Sequence, residues 1–422
     1  MTFFSMHFII IIIYLLLCTQ IETSPEYETG DVNHEKAKYL REENELLLSS
    51  PSSQWEKYIQ LIEKAEKAHL NRTDDPNRSI FHQQIDQDFS YWKNQSIDEI
   101  RQRLTVSETT ARAHRLTLYQ VINHRLYRQT EDQLIFPARN FGIEHFLLNI
   151  IDSLPDMEFL LNTYDWPQHQ PDIPIFSFSK SLLSHDTDLL YPAWAFWDGG
   201  PALGSVYPTG IGRWDIMRQT LNKARQSYPW SKKESRGFFR GSRTSSERDP
   251  LVLLSRSNPE LLDAQYTKNQ AWKSDEDTLG YPPADELKHE AFCQFKYLFN
   301  FRGVAASFRL RHLFLCGSLV LHVGSDWIEF FYDRLEPWYH YIPISTDLHD
   351  VKDILLFAQN NDRLVGKIAR QGRDFIWNSL TMENVEGYWK ELLLEYYKLF
   401  GNNQKQIKKK TNFVQVHRRS KP

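Results

Sequence analysis

One stretch decides the fold class of this chain: YLFNFRGVAASFRLRHLFLCGSLVLHV, residues 297–323. It opens with an apolar, aromatic run at 297–301 and closes with a second apolar run at 318–323, and both are typical of buried strands. Between them, Gly303 and small residues lead into a pattern that predicts a helix over residues 304–316. A strand, a helix and a strand in this order predict a parallel α/β unit.

The same alternation occurs elsewhere in the chain. Residues 237–242 predict a strand that runs into a glycine-containing loop, and a helix is predicted to begin at Pro250. In the first half, two short apolar segments at 157–162 and 173–179 predict strands. Further helices are predicted from Ser52, at 97–104, around 114–126, at 143–154, from Leu348 and at 385–399. We therefore expect the α/β pattern twice, in a chain whose 422 residues suffice for two domains.

The composition is that of a globular protein, with 41% hydrophobic and 25% charged residues. A formal net charge of -4 gives no general case for binding nucleic acid or a membrane surface. The aromatic content of 14% is high, as in surfaces that stack on rings or hold a polypeptide, although buried packing accounts for most of such an excess.

The N-terminal segment indicates entry into the secretory pathway. The run at residues 8–18 is apolar and uncharged, is too short to span a bilayer, and is typical of a signal-peptide core. An uncleaved anchor and a buried first strand are the alternatives. Three glycosylation sequons, at Asn71, Asn77 and Asn94, agree with exposure in an oxidising lumen.

Two cysteines remain once Cys18 is removed with the signal peptide. In an oxidising compartment Cys293 and Cys316 predict one disulfide, and two free buried thiols are the alternative. No zinc site is expected at these cysteines.

Two arginine-rich loops are the candidates for binding phosphate. Residues 239–250 hold three arginines and four hydroxyl side chains around one glycine, and residues 300–311 have the same ingredients at the start of a predicted helix. Backbone N–H groups, hydroxyls and arginines bind phosphate oxygens, and two such loops fit a diphosphate better than a monophosphate. A solvated loop in the first case, and tight helix–sheet packing in the second, are the alternatives.

A general base has to come from elsewhere in the chain. Asp165 follows a predicted strand, where α/β folds bind their ligands, and a purely turn-forming role is the alternative. Ser177, Tyr207 and the segment 208–210 are further candidates near a cleft. Three Asp-x-Asp patterns are interpreted as surface acids and not as a metal site: Asp86 and Asp88, Asp186 and Asp188, Asp275 and Asp277.

Several segments closely resemble the capsule-associated-protein-like glycosyltransferase family. Within the span 134–399 they are residues 239–245, 266–273, 297–309 and 312–320, with shorter matches at 144–146, 191–194 and 207–210. The resemblance implies an α/β fold of the GT-B type, with two Rossmann-like domains facing a cleft and C-terminal helices packing back.

The expected organisation has four parts. We expect a signal peptide at 1–24, an N-terminal acceptor-side domain at 25–222, a C-terminal donor-binding domain at 223–384, and a return helix with a basic tail at 385–422. The tail is expected to be a solvated, frayed end.

The resemblance further implies an inverting, metal-independent transfer of glucose from UDP-glucose to a serine of a folded EGF-like repeat, such as those of Notch-type receptors. No cofactor besides the sugar nucleotide is expected, and the protein is expected to act as a monomer, without membrane insertion, in the lumen of the endoplasmic reticulum. UDP-xylose as the donor is one alternative. A non-catalytic lumenal protein that binds EGF-like repeats is an alternative of a different class, against which the combination of Asp165, Arg248 and Arg309 argues.

The family's functional positions fall on definite residues of this chain. The catalytic base falls on Asp165, and the family's disulfide falls on Cys293 and Cys316. The donor-binding positions are Tyr207, Ser242, Arg248, Val304, Ala305, Ala306, Ser307, Phe308 and Arg309. The acceptor-binding positions are Ile135, Phe136, Pro137, Ala138, Arg139, Leu203, Gly204, Ser205, Val206 and Pro208.

Two departures from the family pattern bear on the acceptor and on location. Leu134 and Asn140 stand where the family has a cysteine pair beside an acceptor-binding loop. The disulfide that would make this loop rigid and support acceptor specificity is therefore not expected. The last residues contain no Lys-Asp-Glu-Leu-like signal, so retention by the usual address is not expected.

Overall fold

The computed structural model describes residues 54–73, 75–104, 107–167, 173–197, 211–268, 272–324, 326–401 and 407–419. The predicted signal peptide lies outside these residues, as do six predicted site residues: Leu203, Gly204, Ser205, Val206, Tyr207 and Pro208. Among the described helices, none combines the length and the apolar character needed to cross a membrane.

Helices and strands alternate along the chain. The helices are α1 (Gln54–Leu70), α2 (His82–Lys93), α3 (Ile97–Leu104), α4 (Ser107–His114), α5 (Pro137–Ile150), α6 (Trp214–Ser227), α7 (Asp249–Ser257), α8 (His289–Phe292), α9 (Leu310–Leu315), α10 (Val351–Asn360), α11 (Asp362–Ser379) and α12 (Met382–Tyr396). The strands are β1 (Thr117–Ile122), β2 (Arg125–Gln129), β3 (Met157–Leu161), β4 (Ile175–Ser177), β5 (Lys180–Ser181), β6 (Leu189–Leu190), β7 (Glu234–Gly241), β8 (Leu262–Tyr266), β9 (Phe295–Phe301), β10 (Leu319–Val323), β11 (Trp327–Ile328), β12 (Ile342–Ile344) and β13 (Phe413–Gln415).

The C-terminal sheet is parallel and has the strand order β12-β10-β9-β7-β8. The stretch that predicted the fold class forms its centre, with Tyr297 of β9 opposite Leu319 of β10. The predicted helix begins later than expected, at Leu310, because residues 302–309 form turns. In these turns Gly303 N donates to Ala305 O, and Ala306 N donates to the Ser179 hydroxyl.

The N-terminal sheet has the order β13-β2-β1-β3-β4-β6. Strands β3, β4 and β6 are parallel, whereas β1 pairs antiparallel with β2 and β3, so only half of this sheet is Rossmann-like. The helix predicted around residues 114–126 is therefore wrong. Asn123 and His124 connect β1 to β2 with φ angles of 48° and 58°, the left-handed turn that favours a hairpin.

The part that carries the N-terminal sheet and β5 (the N-terminal half) is joined at several places to the part that carries the C-terminal sheet and β11 (the C-terminal half). Strand β5 of the N-terminal half pairs with β11 of the C-terminal half, with Lys180 opposite Ile328. Helix α12 packs back on the N-terminal half, where the Tyr388 hydroxyl donates to Leu190 O (3.0 Å). The predicted α/β fold, with two sheet-containing halves and C-terminal helices packing back, is confirmed.

The first and last described segments cross between the halves. Helix α1 packs on the C-terminal half, where the Tyr58 ring lies 5.5 Å from the ring of Trp338 and 5.0 Å from that of Phe357. The basic tail, predicted to be solvated, instead forms strand β13 beside β2. Phe413 is only 3% exposed and supplies the apolar contact that anchors this charged segment.

A disulfide joins Cys293 and Cys316, as predicted, and connects the carboxyl ends of α8 and α9. The buried ammonium group of Lys233 donates to the carbonyl oxygens of both cysteines, at 3.0 Å for Cys316 O. Burial, together with the nearby charge of Arg225, lowers the pKa of Lys233 to about 7.

Replacement of Lys233 by Met is expected to lower the free energy of unfolding by about 1–3 kcal/mol near neutral pH, because two buried carbonyls lose their donor. The wild type should gain stability relative to this variant as pH rises from about 7 towards the ordinary pKa of lysine, since the unfolded lysine then binds a proton that the folded one has released. Urea unfolding at pH 7 and pH 9 measures both effects. Lys232→Met, at the exposed neighbouring position, is the matched control, and a wild-type advantage that shrinks with rising pH would contradict the assignment.

Candidate active site

The two arginine-rich loops meet at the carboxyl ends of adjacent parallel strands. Strand β7 ends at Gly241 and strand β9 ends at Phe301, and the two strands are paired directly. The guanidinium of Arg248 connects the loops that follow, since it donates to Ser242 O (2.6 Å) and to Arg302 O. The two loops predicted separately therefore form one site.

Four of the arginines in these loops pair with carboxylates. These ion pairs are Arg240 with Asp263 (2.8 Å), Arg243 with Asp249 (2.5 Å), Arg302 with Glu247, and Arg311 with Glu329 (3.5 Å). Their charges are therefore balanced within the protein, and they contribute little free positive charge to a ligand.

Arg248 and Arg309 differ from these arginines in their partners. Arg248 donates to two backbone carbonyls and a hydroxyl, and Arg309 donates to one backbone carbonyl. Arg309 Nη1 donates to Arg240 O (2.6 Å), and within the described part of the chain neither guanidinium has a carboxylate partner. Desolvation lowers the pKa of each to about 10, and for Arg248 the charge of Arg309 contributes, so both stay protonated at neutral pH. Two cations without a counter-ion at the carboxyl edge of a parallel sheet favour an anion such as a diphosphate.

Gly241 leaves the space that Arg309 occupies. A Cβ at this position would lie 3.2 Å from Nη1 of Arg309 and 3.1 Å from Cζ of Phe239. Because of this close approach, a side chain larger than that of glycine at the end of β7 would press on the Arg309 guanidinium.

Gly241→Ala is expected to weaken binding of UDP by about tenfold, because displacing the Arg309 guanidinium loses part of a charge-assisted hydrogen bond. Titration calorimetry with UDP measures the change in Kd. Gly387→Ala is the matched control, since a Cβ there would meet nothing within 4 Å. Unchanged UDP affinity in Gly241→Ala would show that Arg309 does not contact the nucleotide.

The predicted donor-binding turn, residues 304–309, touches both halves of the molecule. The side chains of Ala305, Ala306 and Phe308 are buried, so only their backbone is available to a ligand, whereas Val304 is 49% exposed. Across the halves, Ala306 N donates to the Ser179 hydroxyl (3.2 Å). Ser307 Oγ accepts from the backbone N–H of Arg309. The turn is therefore braced by the N-terminal half as well as by its own sheet.

Asp165, the predicted base, lies in the loop after β3 and is 33% exposed. Its carboxylate pairs with Arg139, with 3.1 Å between Nη1 and Oδ1. The same guanidinium donates to Thr163 O (2.6 Å) and lies flat between the rings of Phe136 and Trp194, at 4.1 and 4.4 Å from their centroids. Arg139, predicted to bind the acceptor, is thus a direct partner of the candidate base.

A short chain of side chains connects the candidate base to the donor turn. The Trp194 ring that Arg139 packs on lies 5.4 Å from the ring of Phe308. The structure therefore brings Asp165 from the N-terminal half towards the loops of the C-terminal half that hold the free arginines.

The acceptor-binding loop is anchored without cysteines. Of its predicted residues, Ile135, Phe136 and Pro137 are half-buried and Ala138 is exposed, and Pro137 is the first residue of α5. At the position of one missing cysteine, the buried Asn140 amide donates to Thr117 Oγ1 (3.0 Å) and to the Tyr119 hydroxyl (2.9 Å). Leu134, at the other position, is 9% exposed and packs in the core.

Two of the acids interpreted as surface residues are in fact buried. Asp88 and Asp188 are each 2% exposed, and Asp88 accepts from Lys180 Nζ and from Leu190 N, both at 2.7 Å. Sequence alone did not reveal this because the partner lysine is 92 residues away. In the part of the chain that the structure describes, no group of three or more His, Cys, Asp or Glu side chains could hold a metal ion.

Sequence reasoning missed Asn162 and Ser179. Asn162 holds the loop of Asp165, and Ser179 holds the donor turn. Both are small polar residues at or just after the carboxyl end of a predicted strand, which is the pattern that could have identified them. The three sequon asparagines, Asn71, Asn77 and Asn94, are all exposed.

The chain is similar to known proteins over most of its length. The family model described as Glycosyl transferase family 90 matches residues 74–420. Protein O-glucosyltransferase 1 of Rattus norvegicus is 49% identical over 373 residues, covering 86% of this chain and 90% of the relative. The human protein of that name is 55% identical over 291 residues (68% and 73%), and O-glucosyltransferase rumi of Drosophila melanogaster is 55% identical over 291 residues (67% and 70%).

Among solved structures, Anabaena HepE in complex with UDP and glucose matches with a TM-score of 0.32 and 11% identity, over 45% of this chain and 60% of that one. That likeness is too weak to carry an argument, whereas the family model and the relatives cover most of the sequence. The chain therefore belongs to glycosyltransferase family 90.

Proposed function

We propose that this protein is an inverting, metal-independent O-glucosyltransferase that moves glucose from UDP-glucose to a serine hydroxyl of a folded EGF-like repeat. The observation that carries the proposal is the pair of arginines without a carboxylate partner, Arg248 and Arg309, together with Asp165. Arg139, the partner of Asp165, packs on Trp194, whose ring contacts that of Phe308 in the donor turn. The printed names of the relatives, protein O-glucosyltransferase and O-glucosyltransferase rumi, support glucose and a protein acceptor.

The free arginines would bind the diphosphate of the donor. As the bond between the sugar C1 and the phosphate oxygen breaks, negative charge grows on the departing UDP, and Arg248 and Arg309 would stabilise it. Their fixed hydrogen bonds to backbone carbonyls hold the guanidinium groups in place before the reaction, so little reorganisation is needed. This is the role that a divalent metal has in many other sugar transferases.

Asp165 would act as the general base. The serine oxygen attacks C1 from the face opposite UDP, so a new O–C1 bond forms with inversion, and the serine proton passes to the Asp165 carboxylate. Arg139 would orient this carboxylate, because it binds both the side chain and the backbone of the same loop. Holding the serine and the sugar in line supplies much of the remaining acceleration.

The proposed setting is the secretory pathway, in the lumen of the endoplasmic reticulum. A disulfide and three exposed sequon asparagines support an oxidising, glycosylating compartment. The partners would be UDP-glucose and EGF-like repeats of secreted or cell-surface proteins such as Notch-type receptors.

A donor and acceptor comparison tests the proposal. Purified protein is incubated with UDP-glucose or UDP-xylose and a folded EGF-like repeat, with and without EDTA, and transfer is followed by mass spectrometry of the repeat. The controls are the same repeat with its acceptor serine replaced by alanine, and the repeat with its disulfides reduced.

We expect glucose on the folded repeat, no product with either control, and no loss with EDTA. Faster transfer from UDP-xylose would make the protein an O-xylosyltransferase. Complete loss with EDTA would contradict the metal-independent mechanism. Absence of transfer from either donor, with binding of the repeat retained, would favour a non-catalytic EGF-binding protein.

A further inference from the structure

The loop that carries Asp165 is held at both ends by a single buried side chain. Asn162, which is 0% exposed and directly follows β3, accepts at Oδ1 from Tyr164 N (2.8 Å) and donates from Nδ2 to Trp166 O (2.8 Å). Asp165 lies between these two anchored residues. Because a backbone N–H can only donate and a carbonyl can only accept, the orientation of the Asn162 amide is fixed by the loop itself.

The hydrogen bonds of Ser177 and Asp188 are consistent with that orientation of the Asn162 amide. The second proton of Asn162 Nδ2 is donated to Ser177 Oγ (2.9 Å), so the Ser177 hydroxyl proton has to point elsewhere, and it is donated to Oδ2 of Asp188. Ser177 is 1% exposed and Asp188 is 2% exposed, so water cannot readily replace either partner. The Asp188 carboxylate, which only accepts, therefore keeps the Ser177 hydroxyl proton away from Asn162, in agreement with the orientation that the loop requires of the amide.

The sheet places these three residues in one row. Strands β3, β4 and β6 are adjacent and parallel, with Leu161 opposite Phe176 and Ser177 opposite Leu190. Asn162 follows β3, Ser177 ends β4 and Asp188 precedes β6, so neighbouring strands supply successive members of the row. A catalytic group is held precisely when the residues that support it are buried at the ends of packed strands, as these three are.

We propose that Asp188, Ser177 and Asn162 are positioning residues that act through Asp165 and hold its carboxylate where it can accept the serine proton. The inference rests on the proposed function, in which Asp165 is the base. Without Asp188 the Ser177 hydroxyl would lose its acceptor, and without Ser177 the Asn162 Nδ2 would lose one of its two acceptors, so the amide would be held less firmly. The loop that Asn162 holds at Tyr164 and Trp166 could then shift, and Asp165 with it.

The tests are Ser177→Ala, which removes a link, and Asp188→Leu, which removes the terminal acceptor. For each we expect kcat of glucosyl transfer to fall by about 10²-fold, the loss that a misplacement of about 1 Å produces, while the Kd of UDP stays unchanged. Asp188→Asn keeps an oxygen for Ser177 and should lose less than Asp188→Leu. Asp186→Asn, two residues away and outside the hydrogen-bonded row, is the matched control.

A double-variant cycle separates positioning from general support of the fold. In the Asp165→Asn background, Ser177→Ala should cause no further loss of kcat, because its effect passes through the carboxylate that is already absent. A purely structural role would instead multiply the two losses, and it would weaken UDP binding or lower the Tm in parallel with kcat.

The outcomes distinguish this inference from the proposed function. If Asp165→Asn retains full transfer, the assignment of the base fails. If Asp165→Asn is inactive but Ser177→Ala and Asp188→Leu keep the wild-type kcat, or lose activity multiplicatively in the double variants, only the positioning role is overturned. A fall in kcat that is absent in the Asp165→Asn background, at constant UDP affinity, supports it.

Discussion

Asp165→Asn is expected to reduce kcat of glucosyl transfer by about 10²–10⁴-fold, the contribution that general base catalysis typically makes. The substitution preserves the shape of the side chain and keeps an oxygen facing Arg139, whose Nη1 lies 3.1 Å from Oδ1. What is lost is the ability to take the proton from the attacking serine. Steady-state kinetics with UDP-glucose and a folded EGF-like repeat measure the loss, and the Kd of UDP should not change because the free arginines lie in the other half.

The control for this substitution is Asp152→Asn, which removes an exposed carboxylate near the end of α5. It should leave kcat and the Kd of UDP at their wild-type values. Transfer by Asp165→Asn at the wild-type rate would contradict the assignment of the base and would move the search to the residues that the structure does not describe.

The second large effect concerns stability and the buried pair of Arg311 and Glu329. Both side chains are fully buried, with 3.5 Å between Nη1 and Oε2, and the guanidinium lies 4.1 Å from the centroid of the Phe196 ring. Burial raises the pKa of Glu329 to about 7 although the charge of Arg311 lowers it. Arg311→Met is expected to cost about 3–5 kcal/mol of unfolding free energy, because it leaves a buried carboxylate without its cation.

A double variant tests the origin of that loss. In Arg311→Met with Glu329→Leu no charge remains buried, and most of the stability should return, since apolar replacements of buried ion pairs are often neutral or stabilising. Urea unfolding of the wild type, both single variants and the double variant gives the coupling. Additive losses in the double variant would contradict an electrostatic origin and would indicate shape and packing instead.

The pH dependence of this pair has a definite sign. The folded-state pKa of Glu329 is above its ordinary value, so the folded protein holds a proton that the unfolded chain has released between the ordinary glutamate pKa and about 7. Relative to Glu329→Gln, the wild type should therefore lose stability as pH rises through this interval. Unfolding at pH 5 and pH 7.5 measures the difference, and a gain with rising pH would contradict the assignment.

The central architecture could be predicted because parallel strands that are buried on both faces are apolar along most of their length. Residues 297–301 and 318–323 are mostly apolar, and both form strands of the C-terminal sheet. The hairpin at 117–129 was missed because its apolar residues fit a helical spacing equally well, and the turn at Asn123 and His124 was not recognised. Short segments of this kind are decided by tertiary context.

The candidate site was only partly predictable, for a physical reason. The arginine-rich loops were recognised, but which arginines stay free depends on acids that the fold brings near, such as Asp263 for Arg240. The turn before α9 is bound by Ser179, more than a hundred residues earlier, which accepts from the N–H of Ala306. The catalytic role of Asp165 and the donor role of Tyr207 stay predictions, and Tyr207 lies outside the described residues.

The crossing of the chain between its halves has a consequence for synthesis on the ribosome. Helix α1 emerges first but needs Trp338 and Phe357, and the N-terminal sheet gains its edge strand only when residues 413–415 have emerged. Neither half can therefore complete its packing while the other is still being made, and the nascent chain would expose apolar surface for most of translation. A protein built this way should unfold as one cooperative unit and not as two independent domains.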